Sequence, residues 1–171
     1  MKAETAMRTP LDLAKLHALA EDNHDIPGTV AMFTEDCVWT FEAFGIELRG
    51  REQIAAQYAS TFAAFPDFRN IETIWYEAGD DIFVKALVEF THDRDWNGIP
   101  ASGRKVRIWA LAHLPCAEDG LLQGEYVHLN GCEFLHQLGA LPSANPFEIA
   151  AHIRDLERRV AEQMAGTRSG S

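Results

Sequence analysis

The sequence has no long apolar run and is short of basic residues. No stretch approaches the roughly 20 apolar residues that a membrane-spanning helix requires, and no apolar run follows Lys2 and Arg8 as it would in a signal peptide. Lysine and arginine together number 15 against 26 acidic residues, which gives a formal net charge of −11. Nucleic-acid phosphates and anionic membrane surfaces bind basic footprints. We therefore expect neither a nucleic-acid partner nor a membrane partner.

Cysteines are also few. Cys37, Cys116 and Cys132 are odd in number and lie far apart in the sequence. Disulfide frameworks use even sets, and cysteine zinc sites use close pairs. The sequence therefore predicts no disulfide and no cysteine-based zinc site, and it fits a reducing, cytoplasmic location.

The common catalytic and phosphate-binding motifs are missing. There is no Gly-x-Ser-x-Gly, no phosphate-binding glycine-rich loop, no dinucleotide fingerprint and no His-Glu-x-x-His. Three strand histidines, His92, His113 and His128, have no acidic or sulfur partner at metal-ligand spacing. We expect neither a metal nor an organic cofactor, and function would have to come from side chains that converge in a cavity.

The order of the elements predicts an α+β fold in one domain. Thr9 and Pro10 predict the start of a helix whose apolar stripe would be Leu13, Leu16 and Ala20. A strand over 37–41 comes next, and then a clear helix over 51–65 with Ile54, Tyr58, Phe62 and Phe65 on one face. Four more strands follow over 69–78, 82–93, 104–115 and 121–130, and the first two of them are joined by a turn at Gly79. Helices followed by a meander of strands indicate a curved, mostly antiparallel sheet wrapped by helices.

The chain divides into three segments on this interpretation. Residues 1–142 form the domain, and residues 143–165 form a C-terminal helical extension that begins at the capping sequence Asn145-Pro146. Residues 166–171 are predicted to be a disordered tail.

The last predicted strand carries the strongest candidates for polar site residues. Because side chains alternate along a strand, Tyr126, His128 and Asn130 share one face, and Glu125 and its alternate neighbours share the other. In an enclosed site the first row could orient a carbonyl group or move a proton. The alternative is that this row simply faces solvent.

Two other strands offer single candidates. The alternate residues from Ile82 to Phe90 are apolar and end at His92, which would be either a polar group at the mouth of a cavity or a satisfied core histidine. In the next strand, Trp109 and His113 belong to a row that would be either a pocket lining or a subunit interface.

Several short motifs, taken in order, resemble the SnoaL-like polyketide cyclase branch of the NTF2-like superfamily. The resemblance runs from about Leu13 to Gly139, roughly three quarters of the chain. The motifs are Phe65-Pro66-Asp67, Thr91-His92, Gly98-Ile99-Pro100, Ser102-Gly103-Arg104, Asp119-Gly120 and Gln137-Leu138-Gly139.

The resemblance implies a cone-shaped fold with a deep pocket. Proteins of this kind dimerise through the outer face of the sheet, bind an aromatic polyketide ester or a similar carbonyl compound, and close a ring by acid/base chemistry without metal or organic cofactor. Aligned on these motifs, the catalytic aspartate of the cyclases falls at Asn130 and a characteristic tryptophan at Tyr126. Asparagine cannot accept the proton, so His128 is the nearest substitute base, and Asn130 would bind an oxyanion.

The catalytic positions of two related families can be compared with this sequence in the same way. The ketosteroid isomerase base would fall at Phe41, so that base is missing. The dehydratases and dehydrochlorinases use a His–Asp dyad, whose aspartate falls at Asp25 but whose histidine falls near Asp67. An elimination that uses Asp25 with a histidine from another strand stays open.

Two hypotheses follow. The first is a cofactor-independent cyclase, isomerase or lyase that acts on a small hydrophobic carbonyl compound, as a homodimer. Its catalytic residues would be His128 or His92 with Asn130 and Asp25. Its pocket would be lined by Trp39, Trp109, His113 and Tyr126. The second is a non-catalytic binding or accessory protein on the same scaffold. An enclosed cavity in which His128 and Asn130 converge favours the enzyme, and a cone filled by side chains favours the binding protein.

Overall fold

The computed structural model describes the backbone of residues 8–168 and the side chains of residues 8–163. Within these residues the chain forms five α-helices and one six-stranded sheet, which confirms the α+β class. The elements are α1 (Pro10–Asp22), α2 (Ile26–Ala31), β1 (Phe33–Phe41), a 3₁₀ turn (Glu42–Phe44), β2 (Ile46–Arg49), α3 (Gly50–Ala64), β3 (Arg69–Ala78), β4 (Asp81–Thr91), β5 (Lys105–Pro115), β6 (Leu122–Leu129), α4 (Gly131–Leu138) and α5 (Pro146–Arg168).

Helix α1 begins where the sequence predicts, but it buries a different face. The Thr9 side chain accepts a hydrogen bond from the Asp12 backbone at 3.1 Å, and the Asp12 carboxylate accepts one from the Thr9 backbone, so a capping box starts the helix. The predicted stripe through Leu16 and Ala20 is corrected, because Leu16 is 38% exposed. His17 is buried instead, on the side of the helix that also carries Leu13 and Glu21.

The sheet is a meander closed by one parallel pair. Its strand order is β2-β1-β6-β5-β4-β3, and neighbours run antiparallel except for the pair β1 and β6. The meander from β3 to β6 confirms the prediction. Strand β1 begins at Phe33, four residues before the predicted start at Cys37, because helix α2 ends at Ala31.

Cross-strand pairing decides which side chains share a face of the sheet. Trp39 pairs with Glu125, and Phe41 pairs with Val127, so these four side chains lie on one face. This inner face is covered by α1, α3 and α4, each of which contributes side chains to the same cavity. Tyr126 pairs with Thr40 on the opposite, outer face.

The C-terminal helix begins at Pro146, as the capping sequence predicts. The Asn145 side chain accepts a hydrogen bond from the Phe147 backbone at 3.0 Å. The helix continues to Arg168, past the predicted end at residue 165, and residues 169–171 of the predicted tail lie outside the described residues. Its apolar stripe is present, with Ile153, Leu156 and Val160 about half exposed. The division into domain, extension and tail stays a prediction. None of the helices in the described part of the chain is long and apolar enough to cross a membrane.

Candidate functional site

A cavity of about 150 Å³ lies between the inner face of the sheet and helices α1, α3 and α4. This volume is small beside the roughly 300–1,000 Å³ of pockets for drug-sized ligands, so it suits a compact molecule. Most of the lining is aromatic or aliphatic, from Trp39, Phe41, Phe62, Phe65, Phe68, Trp75, Val84, Ala86, Val88, Phe90, Trp96, Ala110, Ala112, Leu114, Val127, Leu129 and Phe134.

Four ionisable side chains of the lining contact one another in this apolar surrounding. His17 and Glu21 lie one turn apart on α1 and therefore project from the same side of the helix. Tyr58 belongs to the buried face of α3. Glu125 comes from β6 and is 6% exposed. We call these four residues the acid/base cluster.

The Tyr58 hydroxyl joins the members of the acid/base cluster. It lies 2.8 Å from Glu125 Oε2, 2.5 Å from Glu21 Oε1 and 3.4 Å from His17 Nε2. Glu125 Oε2 also accepts a hydrogen bond from Trp39 Nε1 at 2.8 Å. His17 Nε2 is 3.5 Å from Glu21 Oε1 and 3.6 Å from Glu125 Oε2, within ion-pair distance of both carboxylates.

The Tyr58 hydroxyl has too few protons for both of its carboxyl contacts. The contacts of the Tyr58 oxygen with Glu21 and Glu125 are both of hydrogen-bond length, and each needs a proton between the two oxygens. A tyrosine hydroxyl supplies one proton only. A second proton on a carboxyl group would complete both contacts, and Glu21, whose pKa is raised, takes it more readily than Glu125, whose pKa is lowered.

The environment moves the two carboxyl pKa values in opposite directions. Burial raises the pKa of Glu21, the negative charge of Glu125 raises it further, and His17 opposes both effects. Burial also favours protonated Glu125, but hydrogen bonds from His17, Tyr58 and Trp39 outweigh it and lower the pKa of Glu125. Opposite shifts in a carboxyl pair separate a proton-holding acid from a permanent anion.

The other two members of the cluster hold their protons. Burial by itself lowers the pKa of His17, but the charges of Glu21 and Glu125 raise it to about 10. Burial and the same two carboxylates raise the pKa of Tyr58 well above its ordinary value. Near neutral pH His17 is therefore an imidazolium and Tyr58 a neutral phenol, and of the two carboxyl groups Glu21 takes up a proton more readily than Glu125.

One histidine nitrogen and two carboxylate oxygens are also a donor set that zinc accepts. His17 Nε2 and the two glutamate oxygens lie within 4.8 Å of one another. The Tyr58 oxygen, however, contacts all three of these atoms and hydrogen-bonds to both carboxylates. A cation would have to displace that hydroxyl, so the arrangement fits proton transfer better than metal binding.

The predicted polar row of β6 lies on the outer face of the sheet, which corrects the assumption that it faces the cavity. Tyr126 stacks on His113 with ring centroids 5.5 Å apart, and His128 is exposed. Asn130 follows the strand and caps α4 by accepting a hydrogen bond from the Glu133 backbone at 3.2 Å. The row is outward because side chains alternate along the strand, and Glu125, Val127 and Leu129 line the cavity. These residues do not line the cavity, and their catalytic and binding roles stay predictions.

Of the remaining predicted site residues, one lies in the cavity lining and the others lie outside it. Trp39 lines the cavity, as expected. Trp109 is 37% exposed on the outer face, with Lys85 Nζ 4.6 Å from its ring centroid. Asp25 is outside the cavity and caps α2 by accepting a hydrogen bond from the Gly28 backbone at 3.0 Å.

The last two histidine candidates do not reach the cavity either. His92 is completely buried, with Nδ1 3.2 Å from Ser102 Oγ, but it is outside the lining. His113 stacks on Phe83 at 4.4 Å on the outer face, and its Nε2 is 3.3 Å from an Asp81 oxygen without hydrogen-bond alignment. His113 was predicted to belong either to a pocket lining or to a subunit interface. The structure contradicts the pocket lining.

Sequence reasoning missed all four members of the acid/base cluster as site residues, although it placed Tyr58 on the apolar face of its helix. One available signal is the spacing of Leu13, His17 and Glu21, which puts two ionisable groups in line with a core leucine. A second is Glu125, the one carboxylate of an otherwise apolar strand row that includes Val127 and Leu129. A lone ionisable residue in a core-facing row needs a partner.

Comparisons with known proteins agree with the fold. The chain is similar to the structure of a "putative polyketide cyclase" from Pseudomonas putida KT2440, with a TM-score of 0.71 and 19% identity over 77% of this chain and 98% of that one. It is also similar to a protein with a ketosteroid isomerase-like fold from Catenulispora acidiphila, in complex with trimethylamine, with a TM-score of 0.63 and 21% identity over 77% of this chain and 95% of that one. A third similar structure is that of AclR, a "putative hydroxylase" from Streptomyces galilaeus. It has a TM-score of 0.67 and 20% identity over 78% of this chain and 97% of that one.

These identities are below 25%, so the solved structures establish the fold. No curated protein matches the chain. The family model of the SnoaL-like domain, in contrast, matches residues 13–124, which is well over half of the sequence and includes three of the four members of the acid/base cluster. The chain therefore belongs to the SnoaL-like family of the NTF2-like superfamily.

Proposed function

We propose that the protein is an acid/base enzyme of the cyclase or isomerase type that removes a proton next to the carbonyl group of a compact hydrophobic compound. The observation that carries this proposal is the acid/base cluster, four mutually bonded ionisable side chains in an otherwise apolar cavity. Membership in the SnoaL-like family supports the same chemistry. The mechanism draws on the side chains of the chain alone.

Glu21 is the proposed base. Its side chain is 15% exposed against 8% for Glu125, and its raised pKa makes its anion a stronger base than an ordinary glutamate. In the productive state Glu21 is ionised. It takes the proton from the carbon next to the carbonyl, and the electrons of that C–H bond pass to the carbonyl oxygen as an enolate.

Tyr58 and His17 are the proposed stabilisers of that enolate. Both hold their protons near neutral pH, and both lie against Glu21. Donors that are already oriented in a cavity without bulk water stabilise a developing negative charge strongly. Glu125 keeps the imidazolium charged and accepts hydrogen bonds from Tyr58 and Trp39, so it acts as a positioning residue.

The enolate can then react in three ways. Glu21 returns the proton to a different carbon in an isomerisation, the enolate carbon attacks a second carbonyl in a ring closure, or a leaving group departs in an elimination. All three reactions share the first proton transfer. A test of the proposal therefore has to measure that step.

Hydrogen exchange measures it directly. With 1-indanone as the probe, proton NMR in deuterated buffer follows the replacement of hydrogen next to the carbonyl. Glu21→Gln is expected to lower the catalysed exchange rate by about 100-fold or more, the usual size of a general-base contribution. The control Glu72→Gln changes an exposed carboxylate of β3 and should retain the full rate. Full exchange in Glu21→Gln would overturn the assignment.

A non-catalytic binding protein is the second candidate, and one observation favours it. Tyr58 and both carboxylates already bond to one another, as the members of a purely structural network would. In that case 1-indanone would bind saturably, while its hydrogens would exchange no faster than in buffer alone.

We also propose a homodimer, formed through the outer face of the sheet. Trp109 and Leu111 on β5 and Tyr76 on β3 are between 37% and 52% exposed there, and such apolar surface is typical of an interface. Sedimentation of Leu111→Glu should show a monomer where the unmodified chain sediments as a dimer. A monomeric unmodified chain, or a dimeric variant, would contradict this proposal.

A further inference from the structure

Three tryptophans line the cavity, and they differ in whether the indole N–H group has a hydrogen-bond acceptor. Trp39 Nε1 donates to Glu125 at 2.8 Å, and Trp75 Nε1 donates to Thr73 Oγ1 at 3.2 Å. Trp96 Nε1 is buried and has no hydrogen-bond partner among the side chains and backbone of the described residues. A buried N–H group without an acceptor is rare in folded proteins.

A tight turn fixes the position of Trp96. The backbones of Trp96 and Ile99 exchange hydrogen bonds at 3.0 and 2.8 Å across Asn97 and Gly98. Both central residues have positive φ values, 47° and 81°, the conformation of the type I′ turn that Asn-Gly sequences favour. The Asp95 carboxylate accepts a further hydrogen bond from the Ala101 backbone at 2.9 Å. The turn therefore fixes the backbone of Trp96, whose side chain lines the cavity.

The surroundings of Trp96 cannot satisfy its N–H group. The side chain is 3% exposed, so water does not reach it freely. The rings around it belong to Phe41, Phe44, Phe65 and Phe134, with centroids between 5.5 and 6.4 Å away. Phenyl rings carry no conventional acceptor. A phenylalanine at position 96 would fill this wall without leaving a donor unsatisfied, and the indole nitrogen is thus the feature that needs an explanation.

We propose that Trp96 Nε1 donates a hydrogen bond to an oxygen atom of the bound ligand. The proposal rests on the use of this cavity as the ligand site and narrows the ligand class to compact hydrophobic compounds with an oxygen acceptor, such as a ketone. Trp96 is then a positioning residue that orients the ligand relative to the acid/base cluster. It binds the ligand whether or not a proton is transferred.

Two probes that differ in one carbonyl group test the proposal. 1-Indanone and indane share their ring skeleton, and only the first has an oxygen acceptor. In the ¹⁵N-labelled protein, the indole N–H signals of the four tryptophans are assigned with single Trp→Phe variants. Saturation with 1-indanone should move the Trp96 signal downfield, as a new hydrogen bond does, and saturation with indane should not.

Binding constants provide the second measurement. The unmodified protein should prefer 1-indanone over indane by about tenfold, the selectivity of one good hydrogen bond. Trp96→Phe should reduce that preference to less than about threefold. Trp75→Phe is the matched control, because Trp75 lines the same cavity with its N–H group already bonded to Thr73. The control should keep the preference.

Three results would overturn the proposal: an undiminished preference in Trp96→Phe, a Trp96 signal that responds equally to both probes, or no binding of 1-indanone up to its solubility. If Trp96→Phe does not fold, the signal shift in the unmodified protein still decides, because the other three variants assign the Trp96 signal by elimination. Proton transfer is judged separately. If hydrogen exchange fails while the Trp96 shift is seen, the acid/base function is wrong and the ligand contact stands.

Discussion

The two faces of strand β6 carry opposite kinds of polar residues. The outer row has Tyr126 and His128, which lie against another ring or in solvent, and the inner row has one carboxylate, Glu125, among apolar residues. The row with more polar residues lies outside the cavity lining. A polar side chain in water can be satisfied by water, but a buried one must be satisfied by protein partners, and those partners shift its chemistry. The comparison teaches that isolation in an apolar row is a better indicator of a polar residue in the cavity than the number of polar residues in a row.

Among the substitutions that test this comparison, Glu125→Gln should lower the stability of the protein most. The change removes the anion that hydrogen-bonds to Tyr58 and Trp39 and faces the buried His17. Because one partner of a buried charged network is lost, we expect the free energy of unfolding to fall by about 3 kcal/mol. Denaturant unfolding measures the loss.

The outer face supplies the matched control for this change. His128→Gln alters an exposed residue of the same strand and should stay within about 0.5 kcal/mol of the unmodified protein. Equal effects of the two substitutions would show that the inner carboxylate is not buried in a network.

The inner face should also make stability depend on pH. His17 has a folded-state pKa of about 10 against an ordinary value of 6.5, so above pH 6.5 the folded state holds a proton that the unfolded state has released. This contribution is complete below pH 6.5 and is lost as the pH rises towards 10. The limiting slope for one proton is about 1.4 kcal/mol per pH unit. The raised pKa of Glu21 acts in the same direction, starting from its ordinary value of 4.5.

Unfolding measured between pH 6.5 and 9 tests this slope. The unmodified protein should lose stability steadily, and His17→Gln should be less stable at pH 6.5 but show a clearly flatter profile. A parallel decline in both proteins would mean that His17 does not hold the extra proton.

Most of the fold could be predicted from local signals, but the site could not. The turn at Gly79 and the capping box at Thr9 are decided by a few neighbouring residues, so strand β3 was predicted with the bounds the structure shows, and α1 with its start. The inner face of β6 depends on the distant strand β1, which pairs with it in parallel. No pattern within residues 121–130 specifies that partner.

Helix α1 shows the same limit on a smaller scale. Its leucines suggest one stripe, but the burial of His17 and Glu21 rests on a carboxylate more than 100 residues away. The cluster is unfavourable residue by residue, since each ionisable group alone would avoid the core. Only the assembled set of charges and hydrogen bonds makes its burial tolerable, and alternation and composition do not report such sets.

The smallest expected effect concerns Asn130, at the position where the resemblance would put the aspartate of the cyclases. Asn130 is exposed and caps α4 through the Glu133 backbone, outside the cavity lining. Asn130→Asp keeps a good capping residue at the start of a helix, so its free energy of unfolding should stay within about 0.5 kcal/mol, whereas Asn130→Ala should lose about 1 kcal/mol with the cap. Neither variant should change hydrogen exchange of 1-indanone, because neither side chain reaches the acid/base cluster. An increase in the exchange rate of Asn130→Asp would show that the outer end of β6 takes part in the reaction, and the assignment of the chemistry to the inner face would have to be given up.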